Sequence, residues 1–245
     1  RNSTETRTLI LDSIFPAIDF SSGTAVNSTY HSRTWIFVNT SVTEVNEQNI
    51  TFFLSNTTHL VNNTTFTDRT HFLNFTALPN DMNYTYNVTI YDNASHRNST
   101  QTRLIILDAV NPSIAFSSPT NSNDSYASQD WIFVNISASD TNENYTRYYL
   151  FNLTHQVNNT NLTASARGIN FTNLNGNTNY TYNVTIYDKA NNSNTTGIRT
   201  ITLDTTSPTS FNLLTPLNGT NTFNTTPLLD WEDTSDIYFL TYTIQ

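Results

Sequence analysis

The sequence predicts an all-β chain of tandem β-sandwich domains, and three observations carry that prediction. The chain copies itself without gaps at an offset of 96 residues. Short runs rich in Val, Ile, Thr, Tyr and Phe alternate with clusters of Asn, Ser and Asp, about seven runs per copy. No stretch carries a helical period of useful length. Strands of this kind bury their apolar sides by packing two sheets face to face.

The repeat fixes the organisation. Asp12, Asp108 and Asp204 each follow a leucine and precede Pro16, Pro112 and Pro208 by four positions. Trp35-Ile36-Phe37-Val38-Asn39 returns as Trp131-Ile132-Phe133-Val134-Asn135, and the ten residues from Asn83 to Asp92 return unchanged from Asn179 to Asp188. Residues 1–12 therefore read as the last strand of a preceding module, 13–108 as module one and 109–204 as module two. Residues 205–245 read as the incomplete start of a third module, in which Pro227, Trp231 and Tyr242 break the earlier layout. An unpaired strand is unstable alone. Thr8 to Leu11 are therefore expected to be buried in a sheet, either of their own chain or of a neighbour. In the bolder form, Leu9 and Leu11 are donated to the sandwich of the next molecule.

In module one the strands are predicted at 17–20, 34–42, 49–55, 57–61, 71–77, 83–91 and 101–108. Their orientation follows from a second pattern. Of 37 asparagines, 25 begin an Asn-x-Ser/Thr sequon, whereas random placement among 68 Ser and Thr in 245 residues yields about ten. The plainer source of such tripeptides is composition alone, Asn-rich loops beside Thr-rich strands. The excess and its repetition instead point to N-glycosylation, and thus to an extracellular or cell-surface protein.

The acceptors in and before module one are Asn2, Asn27, Asn39, Asn49, Asn56, Asn62, Asn63, Asn74, Asn83, Asn87, Asn93 and Asn98. Those that follow are Asn123, Asn135, Asn144, Asn152, Asn158, Asn161, Asn170, Asn179, Asn183, Asn191 and Asn194, with Asn218 and Asn224 in the third segment. A glycan cannot point into a core, and strand side chains alternate faces. Asn87 thus turns Thr85 and Thr89 outward and Tyr84, Tyr86, Val88 and Ile90 inward. Asn39 turns Ile36, Val38 and Val42 inward. That leaves Trp35 and Phe37 on the glycan face. They pack on a sugar or a neighbouring chain, or the strand is bulged, or its start is covered on both faces.

Composition excludes several functions. The net charge is −9 with a single lysine, Lys189, which suits neither nucleic acid nor an anionic lipid surface. Cysteine is absent, so there is no disulfide framework, and a Cys-free exterior protein fits an archaeal or other microbial surface. No apolar run reaches the roughly 18 residues of a membrane span. Phosphate-loop, dinucleotide and nucleophile-elbow motifs are missing. The histidines (His31, His59, His71, His96, His155) lack metal-ligand spacing, and only His59 and His155 recur, as polar residues of a Thr-His turn. The carboxylate pairs Glu44–Glu47 and Glu232–Asp233 fall in predicted loops with no cleft. The chain is expected not to be an enzyme.

Two motifs carry a resemblance. The run from Leu174 through Tyr180 and Tyr182 to Val184, echoed by Leu78 and Tyr84, resembles the tyrosine-corner strand of fibronectin type III and related immunoglobulin-like domains. Asp188-Lys189-Ala190-Asn191-Asn192, followed by Asp204-Thr205-Thr206-Ser207-Pro208, resembles the end of tandem immunoglobulin-like repeats on bacterial and archaeal surface proteins. Asn191, and Ser95 in module one, replace a glycine of that pattern. The resemblance implies tandem immunoglobulin-like sandwiches and, in some such repeats, Ca²⁺ at module junctions. The matching positions are Asp12, Asp92, Asp108, Asp188 and Asp204. The alternative is that each aspartate caps its own turn. Two functions are expected from this. One is a rigid, glycan-coated structural protein that self-associates into a filament, sheath, stalk or S-layer. The other is an adhesin whose repeats form the stalk for a binding tip.

Overall fold

The computed structural model describes residues 3–163 and 165–243. Among them the chain forms strands and no helix, so no helix is long and apolar enough to cross a membrane. The all-β expectation holds. The chain divides into two compact units. The first runs through Pro112 and takes in Asp140–Glu143 and Tyr187–Ser193; the second holds the remainder.

The first unit contains β1 (Ala17–Phe20), β2 (Thr29–His31), β3 (Ile36–Thr43), β4 (Glu47–Asn56), β5 (Leu60–Phe66), β6 (Phe72–Phe75), β7 (Met82–Asp92), β8 (Arg97–Ser99) and β9 (Arg103–Leu107). One sheet has the order β1-β3-β6 and the other β2-β9-β7-β4-β5, with β8 added to β7. The repeat reproduces this order. β10 (Ser113–Phe116), β12 (Ile132–Ser139) and β15 (Gly168–Phe171) form the small sheet. The large sheet is β11 (Ser125–Ala127), β18 (Arg199–Leu203), β16 (Thr178–Asp188), β13 (Glu143–Asn152) and β14 (Gln156–Thr163), with β17 (Ser193–Thr195) on β16.

The core sits between the two sheets. Along β7, Tyr84, Tyr86, Val88 and Ile90 are buried, while Thr85, Asn87 and Thr89 reach solvent. Ile36 and Val38 face them from β3 and Ile50, Phe52 and Leu54 lie along β4. The second core repeats the arrangement with Ile132, Val134, Tyr148, Leu150, Tyr180, Tyr182 and Val184. A tyrosine corner closes each core. The Tyr84 hydroxyl donates to the Pro79 carbonyl at 3.2 Å. The Tyr180 hydroxyl accepts the Asn175 amide at 2.9 Å and lies 3.3 Å from that residue's carbonyl oxygen.

Two strands lie outside the sequence-based reading. β2 and β8 are three residues each, too short to show a period of two. β2 exists because Thr29–His31 pairs in parallel with Ile105–Leu107. The strand expected at 57–61 lies at Leu60–Phe66, because Asn56 opens a tight turn through His59. β3 pairs with β1 and β6 without a register shift, so the exposed aromatics beside Asn39 do not arise from a bulge.

Residues 3–12 form no strand, and Leu9, Ile10 and Leu11 are 81%, 74% and 88% exposed. The expectation that their own chain buries Thr8 to Leu11 is thus not met among the described residues. The cause is local. Arg7–Leu11 matches Arg103–Leu107, which is a strand because β2 and β7 flank it. In the C-terminal segment, β19 (Leu213–Thr215) pairs antiparallel with β20 (Asp230–Trp231). Tyr242 gathers Phe211, Trp231 and Phe239 around it at ring-centroid distances of 4.9–5.4 Å.

Candidate functional site

The strand alternation that builds the cores also sorts the asparagines. Asn2 lies outside the described residues. None of the other 24 sequon asparagines is buried, while Asn192, which begins no sequon, is buried. Burying an unglycosylated amide is feasible when it is hydrogen-bonded, as Asn192 is to Asp188 and the Asp108 carbonyl.

What the acceptor amides do differs from site to site. Asn39 donates Nδ2 to the Ser22 carbonyl at 3.1 Å. Its counterpart Asn135 engages Nδ2 with both Ser117 Oγ and the Ser118 carbonyl, at 3.0 and 2.7 Å. Asn98 donates to the Pro16 carbonyl at 3.0 Å. At Asn56 and Asn152 the carbonyl Oδ1 accepts from the backbone and hydroxyl of Thr58 and Thr154 and from the amides of His59 and His155. The two histidines thus belong to turns, as the sequence suggests. Asn62 and Asn158 accept the hydroxyls of their own sequon threonines at 2.7 and 2.6 Å.

Asn74, Asn83, Asn87, Asn170 and Asn183 are different. Their side chains make no hydrogen bond among the described residues, and all five reach the surface. Asn87 and Asn183 stand mid-strand in β7 and β16, where asparagine is a poor strand former.

The aspartates of the sequence reading fall into three settings. Asp12, Asp108 and Asp204 each cap their own turn, accepting the amides of Ile14, Val110 and Thr206. Asn46 and Asn142 brace the first two, each donating Nδ2 to the aspartate Oδ2 at 2.8 Å. Asp204 is additionally held by the Thr206 hydroxyl. Asp92 and Asp188 clasp the turns that follow, through His96 and Asn192 respectively.

Within the first unit these pieces converge on two clusters. Asp12, Asp92 and His96 place one ligand atom each within 4.8 Å of one another, and so do Asp108, Asp140 and Asp188. Ca²⁺ takes oxygen ligands at about 2.3–2.6 Å, so oxygens up to roughly 5 Å apart can share one ion. The second cluster fits that requirement. Asp81, exposed at the surface, feels the charges of all three but is not one of the converging ligands. The first cluster does not fit, because an imidazole replaces an oxygen and His96 Nδ1 is already bonded to Asp92 Oδ2 at 2.8 Å. Asp140 and Asp81 escaped the sequence reading. Asp140 aligns with Glu44, an acid at the same place in module one, and Asp81 gives way to Asn177 in module two.

Crowding shows in the proton affinities. Desolvation raises the Asp140 carboxyl above its ordinary range, and repulsion from Asp108, Asp188 and Glu143 adds to it, against the Asn142 amide. Asp81 is raised by desolvation, then by the neighbouring Asp108 carboxylate and repulsion from Asp140 and Asp188. Asp12 goes the other way, lowered by the Asn46 side chain and the Ile14 amide. A raised carboxyl binds its proton more tightly folded than unfolded. Its contribution to stability is full below the unfolded value and is lost as pH rises through the folded one. In chelator, Asp140→Asn is therefore expected to raise the melting temperature near neutral pH. That advantage should vanish once the pH falls below the ordinary aspartate value. Thermal unfolding at the two pH values checks this, and an unchanged melting temperature at neutral pH would refute it.

No known protein-family profile matches the chain, and no curated protein matches it. Among solved structures, it is similar to the fibronectin(III)-like modules of CbhA from Clostridium thermocellum at 12% identity. That match covers 77% of this chain and 94% of the other, with a TM-score of 0.41. The chicken CNTN1 domains FN1–FN3 match at 11% identity over 74% of this chain and 65% of theirs, with a TM-score of 0.44. A stretch of titin domains matches at 12% identity over 78% and 67%, with a TM-score of 0.49.

Proposed function

We propose that this chain is a non-enzymatic structural glycoprotein. Its β-sandwich repeats form a glycan-coated extracellular rod within a self-associating filament, sheath, stalk or S-layer. One observation carries the reading. Asn87 and Asn183 occupy the solvent face of central strands and cost strand propensity, and their side chains make no hydrogen bond among the described residues. A residue that the fold does not use, repeated in both modules and followed two positions on by Thr89 or Thr185, is accounted for by chemistry done on it. In that chemistry the asparagine Nδ2 bonds to the anomeric carbon of an activated glycosyl donor. The donor's leaving group departs and one amide proton is released.

A coat of this kind suits a sheet surface with few charges. Only 12% of residues are charged, and charge is the usual protection of sheet edges against mispairing. Bulky polar glycans would supply that protection instead. In the same reading, a divalent cation held by Asp108, Asp140 and Asp188 would neutralise the repulsion that raises Asp140 and stiffen the segments carrying them.

The test is mass spectrometry of the native protein. The polypeptide alone weighs 27.7 kDa. The mass of this segment is expected to exceed that value by many sugar residues, with Asn87 and Asn183 occupied. A mass for this segment at the bare polypeptide value would overturn the reading.

A further inference from the structure

The three-stranded sheets carry an outer face that neither core requires. β12 turns Ile132, Val134 and Ile136 inward, which leaves Phe133 and Asn135 outward, with Trp131 just before the strand. Trp131 is 39% exposed, and so is Trp35 at the same place in the first unit. An exposed indole beside a half-buried phenyl ring on one sheet face calls for a cover.

The cross-strand register supplies one. Phe133 stands directly opposite Asn170, and Phe37 directly opposite Asn74. Directly opposed residues have Cβ atoms about 4.5–5.5 Å apart. Trp131, Phe133 and Asn170 line a shared surface depression of about 450 Å³. Each of these asparagines opens a sequon, Asn74-Phe75-Thr76 and Asn170-Phe171-Thr172. The middle phenylalanines are buried, 5% and 4% exposed, and so pin the asparagines to the outer face. Unlike Asn135 on the same sheet, Asn170 and Asn74 make no side-chain hydrogen bond among the described residues.

Resting on the glycoprotein reading, we infer that the first pyranose of an N-glycan on Asn170 lies flat across Phe133 and Trp131. In the first unit the Arg33 guanidinium already lies over Trp35, 4.0 Å from the ring centre, and the glycan on Asn74 lies across Phe37. A pyranose presents a face of C–H groups, which meets the electron-rich face of an aromatic ring favourably. The sugar is tethered one residue away, so docking is intramolecular and the sugar's local concentration is high. The same placement disfavours a polypeptide as the cover, because a glycan on Asn170 occupies the middle of the surface such a partner would need.

The experiment compares the native glycoprotein with its Thr172→Ala variant, which removes the sequon and leaves Asn170 in place. Glycopeptide mass spectrometry reports occupancy of Asn170, and hydroxyl-radical footprinting reports the exposure of Trp131, with Trp231 as internal reference. Trp131 is expected to be oxidised several-fold faster in the variant while Trp231 is unchanged. Equal protection of Trp131 in both proteins would overturn the inference and point to a second polypeptide or to self-assembly as the cover. Asn170 found bare in the native protein would also overturn it; if glycopeptides show sugar on the other sequons, the glycoprotein reading survives. A measurement on the native protein alone guards against misfolding of the variant. Ring protons of the Asn170-linked sugar are expected to be shifted upfield by the aromatic currents, and ordinary shifts would overturn the stacking.

Discussion

Tyr180→Ala is expected to cost the second unit about 3–5 kcal/mol, the range for truncating a large buried aromatic. The ring is 2% exposed and belongs to the core cluster that also holds Val184, Ile201 and Leu203. Removing it opens a void between the two sheets and frees the Asn175 amide, which the hydroxyl accepts at 2.9 Å. Domains have about 5–15 kcal/mol of stability, so this single change consumes a large part of it. Tyr180→Phe separates the two effects. It keeps the ring and loses only the hydroxyl's bonds, for about 1 kcal/mol. The first unit offers a control. At the matching corner Pro79 has no N–H, so the Tyr84 hydroxyl reaches only a carbonyl. Tyr84→Phe is therefore expected to cost less than Tyr180→Phe. Urea unfolding measures all three variants. Near-native stability of Tyr180→Ala would mean that the corner does not hold the sheets together.

The corners show which features were legible in the sequence. Alternation over Asn83–Asp92 fixes which side chains turn inward, because a strand has a period of two and a glycan acceptor cannot face a core. The four side chains read as inward on β7 are all buried, and Asp92, next in the same alternation, is buried with them. The short strands β2 and β8 were not legible, since pairing with β9 and β7 creates them and three residues hold no period. The acceptor amides were legible as tripeptides but not as environments. Nothing in Asn135-Ile136-Ser137 reveals that the Ser117 hydroxyl and the Ser118 carbonyl lie within reach of that side chain. The acidic cluster was half legible. Asp108 and Asp188 recur at fixed spacing, whereas Asp140 joins them and Asp81 comes near them only through folding, and a search confined to recurring aspartates passes over both.

Thr146→Ile is expected to stabilise the second unit by about 1–2 kcal/mol, because it removes a buried hydroxyl that has no partner. Thr146 is fully buried, and its Oγ1 makes no hydrogen bond among the described residues. At the matching position the first unit has Ile50, equally buried. The hydroxyl gives the core nothing, but it is the third residue of the sequon Asn144-Tyr145-Thr146. On the glycoprotein reading, the sequon accounts for a threonine where its twin has isoleucine. The stabilised variant should accordingly lose any glycan at Asn144. Burial of that hydroxyl also sets an order of events. β13 lies between β14 and β16, Tyr145 and Thr146 pair with Thr163 and Leu162, and Thr146 is fully buried once the sheet forms. A transferase that must read the Thr146 hydroxyl can do so only before β13 docks. Unmodified protein, folded first and then offered to the transferase with its donor, is expected to remain bare at Asn144. The exposed sequons at Asn218 and Asn224 should be modified in the same reaction. Glycopeptide mass spectrometry reads the three sites together. Equal labelling of Asn144 would show that the folded strand opens far enough for the enzyme to reach it, and the proposed order would fall.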